Sequence, residues 1–207
     1  MNIPVVYEDD YLVVLNKPSG LLVIPTPKNE TRTLTSILND DLKGRGVAYR
    51  LHACHRLDRE TSGLIVYAKG KSMQAKMMAL FQARQIKKSY IAFVHGIIEK
   101  SRGVIRTPLE RAQAITEYQV LERKKDFSVV EVRPATGRTN QLRLHFKAIG
   151  HPIVGETKFV FRKDYALRAS RLCLHAAGLE FSHPVTRVKI TLEAELAEDL
   201  AKFLKRT

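Results

Sequence analysis

Apolar positions along this chain fall into short runs more often than into helical stripes. From Val5 to Asn16, two such runs are split by Glu8-Asp9-Asp10, which predicts a strand, a turn and a strand. Lys17-Pro18-Ser19-Gly20 follows as a turn, because proline presets φ and glycine permits a positive one. Pro25 to Arg32 reads as a polar loop. Thr33 then caps a helix carrying Leu34, Ile37, Leu38 and Leu42. After a basic connection from Lys43 to Arg50, the nearly unbroken apolar run Leu64 to Ala68 predicts a strand buried on both faces. From Ser72 to Gln85 the spacing turns helical, with Met73, Met77, Leu80 and Phe81 on one side as core.

Ser89–Val94, Thr116–Leu121 and Phe127–Arg133 read as further strands. Thr139 to Ile149 reads as a helix stopped by Gly150 and Pro152. Its Leu142, Phe146 and Ile149 should face the core, with Arg143 one step around at the core's edge. Two strands, Arg171–Phe181 and Arg187–Leu196, flank Ser182-His183-Pro184. In the second of them Val188, Ile190, Leu192 and Ala194 alternate with polar residues. Ala197 to Lys205 is a short terminal helix. Strands outnumber helices and hairpin-like pairs recur, so the fold class is α+β, a largely antiparallel mixed sheet with flanking helices. No linker interrupts the pattern, and a single domain over residues 1–207 is expected.

Charge changes the picture more than composition does. Hydrophobic residues make up 44% of the 207, which is ordinary for a globular protein. Lys and Arg, however, number 35 against 21 Asp and Glu, a formal net charge of +14. That excess favours approach to a polyanion and release of its counterions, so nucleic acid is the first candidate partner. Cys54 and Cys173 form neither a disulfide framework nor a metal-ligand spacing, and read as reduced thiols. The apolar runs are too short to span a bilayer, and the start Met1-Asn2-Ile3-Pro4 is unlike a signal peptide. A cytoplasmic location and no membrane partner are expected.

The densest chemistry lies in His55-Arg56-Leu57-Asp58-Arg59-Glu60-Thr61-Ser62-Gly63. Thr-Ser-Gly suits a tight loop, and the flanking arginines favour an ionised Asp58, fit to act as nucleophile or electrostatic stabiliser. A surface salt bridge would suit the same string.

This string resembles the HRLDxxTSG signature of RluA-type pseudouridine synthases. Six further blocks match that family in order, over residues about 7 to 184. They are Tyr7-Glu8-Asp9-Asp10 with Asn16-Lys17-Pro18-Ser19-Gly20; Lys88-Ser89-Tyr90-Ile91-Ala92 with Gly96; Thr136 to His145; Gly150 to Gly155; Leu172 to Ala176; and His183-Pro184. Three positions depart from the family pattern: Asn140 for the usual His, Glu156 for Asp, and Phe159 for Tyr. The family often carries an N-terminal S4 RNA-binding domain, and this chain starts too close to the catalytic blocks to be expected to contain one.

The resemblance implies a pseudouridine synthase fold. It also implies detachment of uracil from its ribose, rotation, and rejoining through carbon 5, with no cofactor and no metal. Asp58 takes the place of the essential carboxylate, Tyr90 of the active-site tyrosine, and Arg143 of the arginine that pairs with the aspartate. Structured RNA, ribosomal or transfer, is the implied partner. A planar guanidinium at Arg56 could fill the stack vacated by a flipped uridine. Arg59, Lys88, Arg138 and Gln141 are candidate RNA contacts, with Arg84, Lys87 and Lys147 as further phosphate candidates. A catalytically inactive RNA-binding protein of the same fold is the main alternative. A hydrolase would need a second carboxylate, for which Glu60 is the nearest candidate. No helix-turn-helix or zinc-finger spacing supports a DNA-binding regulator, and no heptad pattern points to a coiled-coil dimer, so a monomer is favoured.

Overall fold

The structure, a computed structural model, describes residues 3–26, 30–161 and 165–206. Part of the polar loop expected over Pro25 to Arg32 lies outside the described residues. Among those described, the elements run β1 (Val5–Glu8), β2 (Leu12–Lys17), α1 (Leu34–Gly44), β3 (Leu51–Ala53), β4 (Ser62–Lys69), α2 (Lys71–Gln82) and β5 (Lys87–His95). They continue with β6 (Arg102–Ile105), β7 (Thr116–Arg123), β8 (Phe127–Pro134), α3 (Gln141–Ala148), β9 (Leu174–Ser182), β10 (Lys189–Glu193) and α4 (Glu198–Arg206). The fold is α+β with a large, mostly antiparallel sheet. The chain forms two compact units. One holds residues up to Ile86 together with Gly178–Ala194; the other holds Lys87–Ala177 and the residues from Glu195 onward.

In the first unit β1, β2 and β4 are neighbours, with β3 also on β4 and β10 on the second half of β9. β4 is buried along seven of its eight residues, as its unbroken apolar run predicts. The α1 boundary follows from Thr33. Its hydroxyl accepts from the Ser36 amide while Ser36 Oγ accepts from the Thr33 amide, which satisfies two donors that a helix start otherwise leaves open. Met73 and Met77 of α2 join Leu12, Val14, Leu64, Val66 and Phe181 in the core.

In the second unit the sheet order is β5-β8-β7-β6, with the first half of β9 beside β5. Register pairs Tyr90 with Val132 and Thr116 with Pro134. Phe93, Phe127, Val130, Phe146 and Ile153 fill the core, and Phe203 of α4 stacks against Phe93. Leu142 and Phe146 of α3 face inward as expected, but Ile149 is exposed, because the helix ends before it and it serves as C-cap. Val188 is likewise exposed rather than inward. It lies between Arg187, whose φ is 62°, and the start of β10, and so falls outside the alternation that Ile190 and Leu192 keep.

Candidate active site

The residues singled out from sequence fall into two groups, one in each unit. In the first unit, Arg56, Asp58 and Arg59 lie on the loop between β3 and β4. Asp58 opens a turn in which its carbonyl accepts from the Thr61 amide at 3.1 Å. That turn is tied to the Lys17–Gly20 turn through its backbone carbonyls, which accept from one amide and two side chains. The Gly20 amide donates to Arg59 O at 2.8 Å, and Ser19 Oγ donates to Glu60 O at 2.7 Å. The Lys17 ammonium donates to Pro18 O, Leu21 O and Arg59 O at 2.9, 2.8 and 3.2 Å.

Lys17 is fully buried, and three carbonyl oxygens can accept its three donors. A buried cation is tolerable only when its hydrogen bonds are met, and here those bonds fix the height and pitch of the Asp58 turn. Two blocks separated by some forty residues therefore build one platform. His55 braces its near end, where Nε2 accepts from the Val66 amide at 3.1 Å and the ring packs on Phe81. Arg59 forms an ion pair with Glu30, so its charge is balanced within the unit, whereas Arg56 is exposed.

In the second unit, Lys88 and Tyr90 lie on β5, and Arg138, Gln141 and Arg143 lie at the start of α3. Both Lys88 and Tyr90 are half-buried. Burial pushes the Lys88 ammonium below its ordinary value. Lys88 Nζ lies 3.7 Å from where a Cβ on Gly137 would be, which sets the ammonium against the loop carrying the exposed Arg138.

Gln141 differs from the expectation of an RNA contact. It is 4% exposed and its amide is spent internally. Its Oε1 accepts from Thr136 Oγ1 and the Arg138 amide at 2.7 and 3.0 Å. Its Nε2 donates to Ile115 O and Thr116 Oγ1 at 2.9 and 3.0 Å. Gln141 thus shapes the loop that presents Arg138. The chain of bonds continues into the core. Thr116 Oγ1 lies 2.8 Å from His145 Nδ1, and His145 Nε2 lies 3.0 Å from Thr107 O, so the proton sits on Nε2. Burial holds this imidazole below its ordinary value, against the Thr107 carbonyl bond that raises it.

Arg143 is only 5% exposed, a deeper position than the core's edge. Its Nε and Nη2 donate to Glu156 Oε2 and Oε1 at 2.6 and 2.7 Å, a bidentate pair. Nη1 donates to Asn140 Oδ1 at 3.2 Å, and the Phe159 ring centroid lies 5.0 Å from the guanidinium carbon. Burial raises the Glu156 carboxyl, but the Arg143 bonds and the amides of Lys158 and Phe159 outweigh it and hold the group below the usual range. Asn140, Glu156 and Phe159 are the three positions at which the sequence departs from the family pattern. In the structure all three touch one guanidinium.

Sequence reasoning noted Glu156 only as a departure and assigned Lys17 no role. The signal for Lys17 was a charged residue closing a strand whose first four residues are apolar. For Glu156 it was an acid directly after the glycine of an apolar segment. Among the described residues, no group of three or more His, Cys, Asp or Glu could hold a metal ion, and no helix is long and apolar enough to cross a membrane.

One unit thus carries an exposed arginine and the Asp58 turn, and the other a clamped arginine and a strand tyrosine. Solved structures share the fold: human RNA pseudouridylate synthase domain containing 4 superposes with a TM-score of 0.84 at 28% identity, covering 98% of this chain and 92% of that one. A dual-specificity RNA pseudouridine synthase, RluA, of Vibrio cholerae is 39% identical over 88% of this chain and 78% of its own length. The ribosomal large subunit pseudouridine synthase D of Zymomonas mobilis is 33% identical over 97% of this chain and 71% of its own. A model of the RNA pseudouridylate synthase family matches residues 11–148, and the chain belongs to that family. It is an RNA pseudouridine synthase, an isomerase whose substrate is RNA.

Proposed function

We propose that Asp58, Tyr90 and Arg143 act together on a single flipped uridine of structured RNA. The observation that carries this reading is the locked Asp58 turn. A carboxylate on a backbone platform loses little freedom when a ribose arrives. In the reaction the N1–C1′ bond breaks and a C5–C1′ bond forms. The hydrogen at C5 departs as a proton and N1 gains one, so the sum is an isomerisation with no oxidant or reductant.

Asp58 stabilises or captures C1′ while the base turns. Glu156 occupies the Nε/Nη2 edge of Arg143, the arginine that the family resemblance pairs with the catalytic carboxylate. Tyr90 offers a ring for the base to stack on and a hydroxyl near C5. A phenol titrating near about 10 needs help to act as a base.

Arg56, Lys88 and Arg138 bind the phosphates, with Arg56 in addition filling the vacated stack. Arg59 contributes once released from Glu30. Ribosomal RNA is the first substrate to examine, supported by the name of the Zymomonas mobilis relative, with transfer RNA second. The two units work as one catalytic domain and as a monomer. A cytoplasmic setting accords with two buried free thiols.

The test is tritium release from RNA labelled at uridine C5, prepared from a strain lacking this protein and separated into ribosomal and transfer fractions. Wild-type protein should release tritium from one fraction, and Asp58→Asn should lose at least about a thousandfold in rate. Asp58→Asn turnover within about tenfold of wild type would sink the assignment of Asp58.

A further inference from the structure

We infer that Glu156 is a positioning residue for the isomerisation. It fixes which edge of the Arg143 guanidinium is offered to the reacting site, with Asn140 and Phe159 completing the holder. The inference rests on Arg143 serving the reaction as proposed above.

An arginine side chain has four rotatable bonds, and a guanidinium left to itself samples many orientations. Here three of its five N–H groups are committed to Glu156 and Asn140, and its face lies on Phe159. Glu156 is itself immobile. Its side chain has no exposed surface, and it accepts two further bonds, from the Lys158 and Phe159 amides at 2.7 and 3.3 Å. With four donors on two oxygens, the carboxylate has no other orientation of comparable energy.

The backbone that delivers it is equally fixed. His95 N donates to Pro152 O, Val154 N to Phe93 O and Cys173 N to Val154 O, at 2.9, 2.8 and 2.8 Å, which welds the segment before Glu156 to β5 and to the residue just before β9. Gly155 makes the turn inward at φ +81°, and a Cβ there would lie inside the Arg171 carbonyl. On the other side, Asn140 holds its carbonyl oxygen on Nη1 from a left-handed backbone conformation, φ 53°, at the N-cap of α3.

Stability alone does not account for this arrangement. A buried ion pair is often no more stabilising than apolar residues of the same volume. What the pair does supply is directional. Glu156 closes the Nε/Nη2 edge and leaves the guanidinium's orientation no freedom, so the same residue sets both the direction and the effective charge of Arg143.

Four proteins decide it: wild type, Glu156→Gln, Glu156→Asp and Asn140→Ala. Each is assayed for tritium release at saturating and limiting RNA, for RNA affinity by filter binding, and for folding by circular dichroism. Glu156→Gln should lose roughly thirtyfold or more in kcat while RNA Kd stays within about twofold, and Glu156→Asp should recover most of that loss. Should Glu156→Gln not fold, Asn140→Ala removes one acceptor at a half-buried position and should cost about three- to tenfold in kcat alone. In an Arg143→Ala background, Glu156→Gln should add less than about twofold, measured in single turnover.

A folded Glu156→Gln with kcat within about threefold of wild type would overturn the inference. So would losses that multiply in the double variant, or an effect confined to KM. With Glu156→Gln unfolded, an unchanged kcat in Asn140→Ala would overturn it. Wild-type protein that releases no tritium from any RNA, or Asp58→Asn that keeps its activity, would instead overturn the reading on which the inference rests.

Discussion

The two units hold their functional side chains by different means. In the first, the Asp58 turn is fixed by bonds to backbone carbonyls and amides, with Lys17 as the central donor. In the second, Arg143 is fixed by side chains drawn from three separate places, at 140, 156 and 159. A backbone platform demands particular residues in a contiguous string, because the turn, the glycine and the lysine must each fit a set geometry. A side-chain holder demands only that its members agree with one another. The departures from the family pattern accordingly fall around Arg143 and not around Asp58.

The difference can be broken from either side. The largest effect should come from Lys17→Met, which keeps the stem but strips three carbonyls of a buried donor. At about 1–3 kcal/mol for each of the three buried groups left unsatisfied, stability should fall by roughly 3–9 kcal/mol. The fall is read from the denaturant midpoint, with activity lost alongside it. A loss below about 1 kcal/mol would show that the platform is not held by the ammonium.

Gly155→Ala attacks the second unit at a backbone position its holder requires. Strain at a positive φ and the encroachment on Arg171 O together should cost about 3 kcal/mol. The activity of whatever fraction folds should fall toward that of Glu156→Gln. Full activity in a folded Gly155→Ala protein would separate the turn from the placement of Glu156.

The smallest effect is in pH. The folded-state Glu156 carboxyl titrates below its ordinary value, so its contribution is complete above the unfolded glutamate value of about 4.3 and is lost as pH falls through the folded value. The stability gap between wild type and Glu156→Gln should therefore narrow on acidification in that window. A gap that stays constant would mean that burial, and not the Arg143 pair, governs the group.

Much of this architecture is legible in the sequence, and what is not has identifiable physical causes. The buried strand β4, the Thr33 cap and the Met73–Met77 stripe are local patterns read at their own periods. Strands β3 and β6 are three and four residues long, too short to show a period, and exist because β4 and β7 pair with them. The helix α3 begins at Gln141 rather than Thr139, because Asn140 adopts a left-handed conformation that no propensity scale marks. Gln141 was a candidate RNA contact by its place in the matched block Thr136 to His145. Only the positions of Thr136, Thr116 and Ile115 reveal that its amide is already engaged. The string around Asp58 announced a loop with a carboxylate, but that Lys17 carries the loop is a tertiary fact.

The imidazole of His183 lies against the turn between β1 and β2. Its Nδ1 accepts from the Val185 and Thr186 amides at 3.2 and 3.0 Å. Its Nε2 lies 3.3 Å from Asp9 Oδ2, near enough for electrostatic contact though off the line of a hydrogen bond. Asp9 in turn accepts from the Tyr7 hydroxyl and the Tyr11 and Leu12 amides. The unit that carries Asp58 is therefore closed by a contact between residues 9 and 183, and partners so distant along the chain meet slowly.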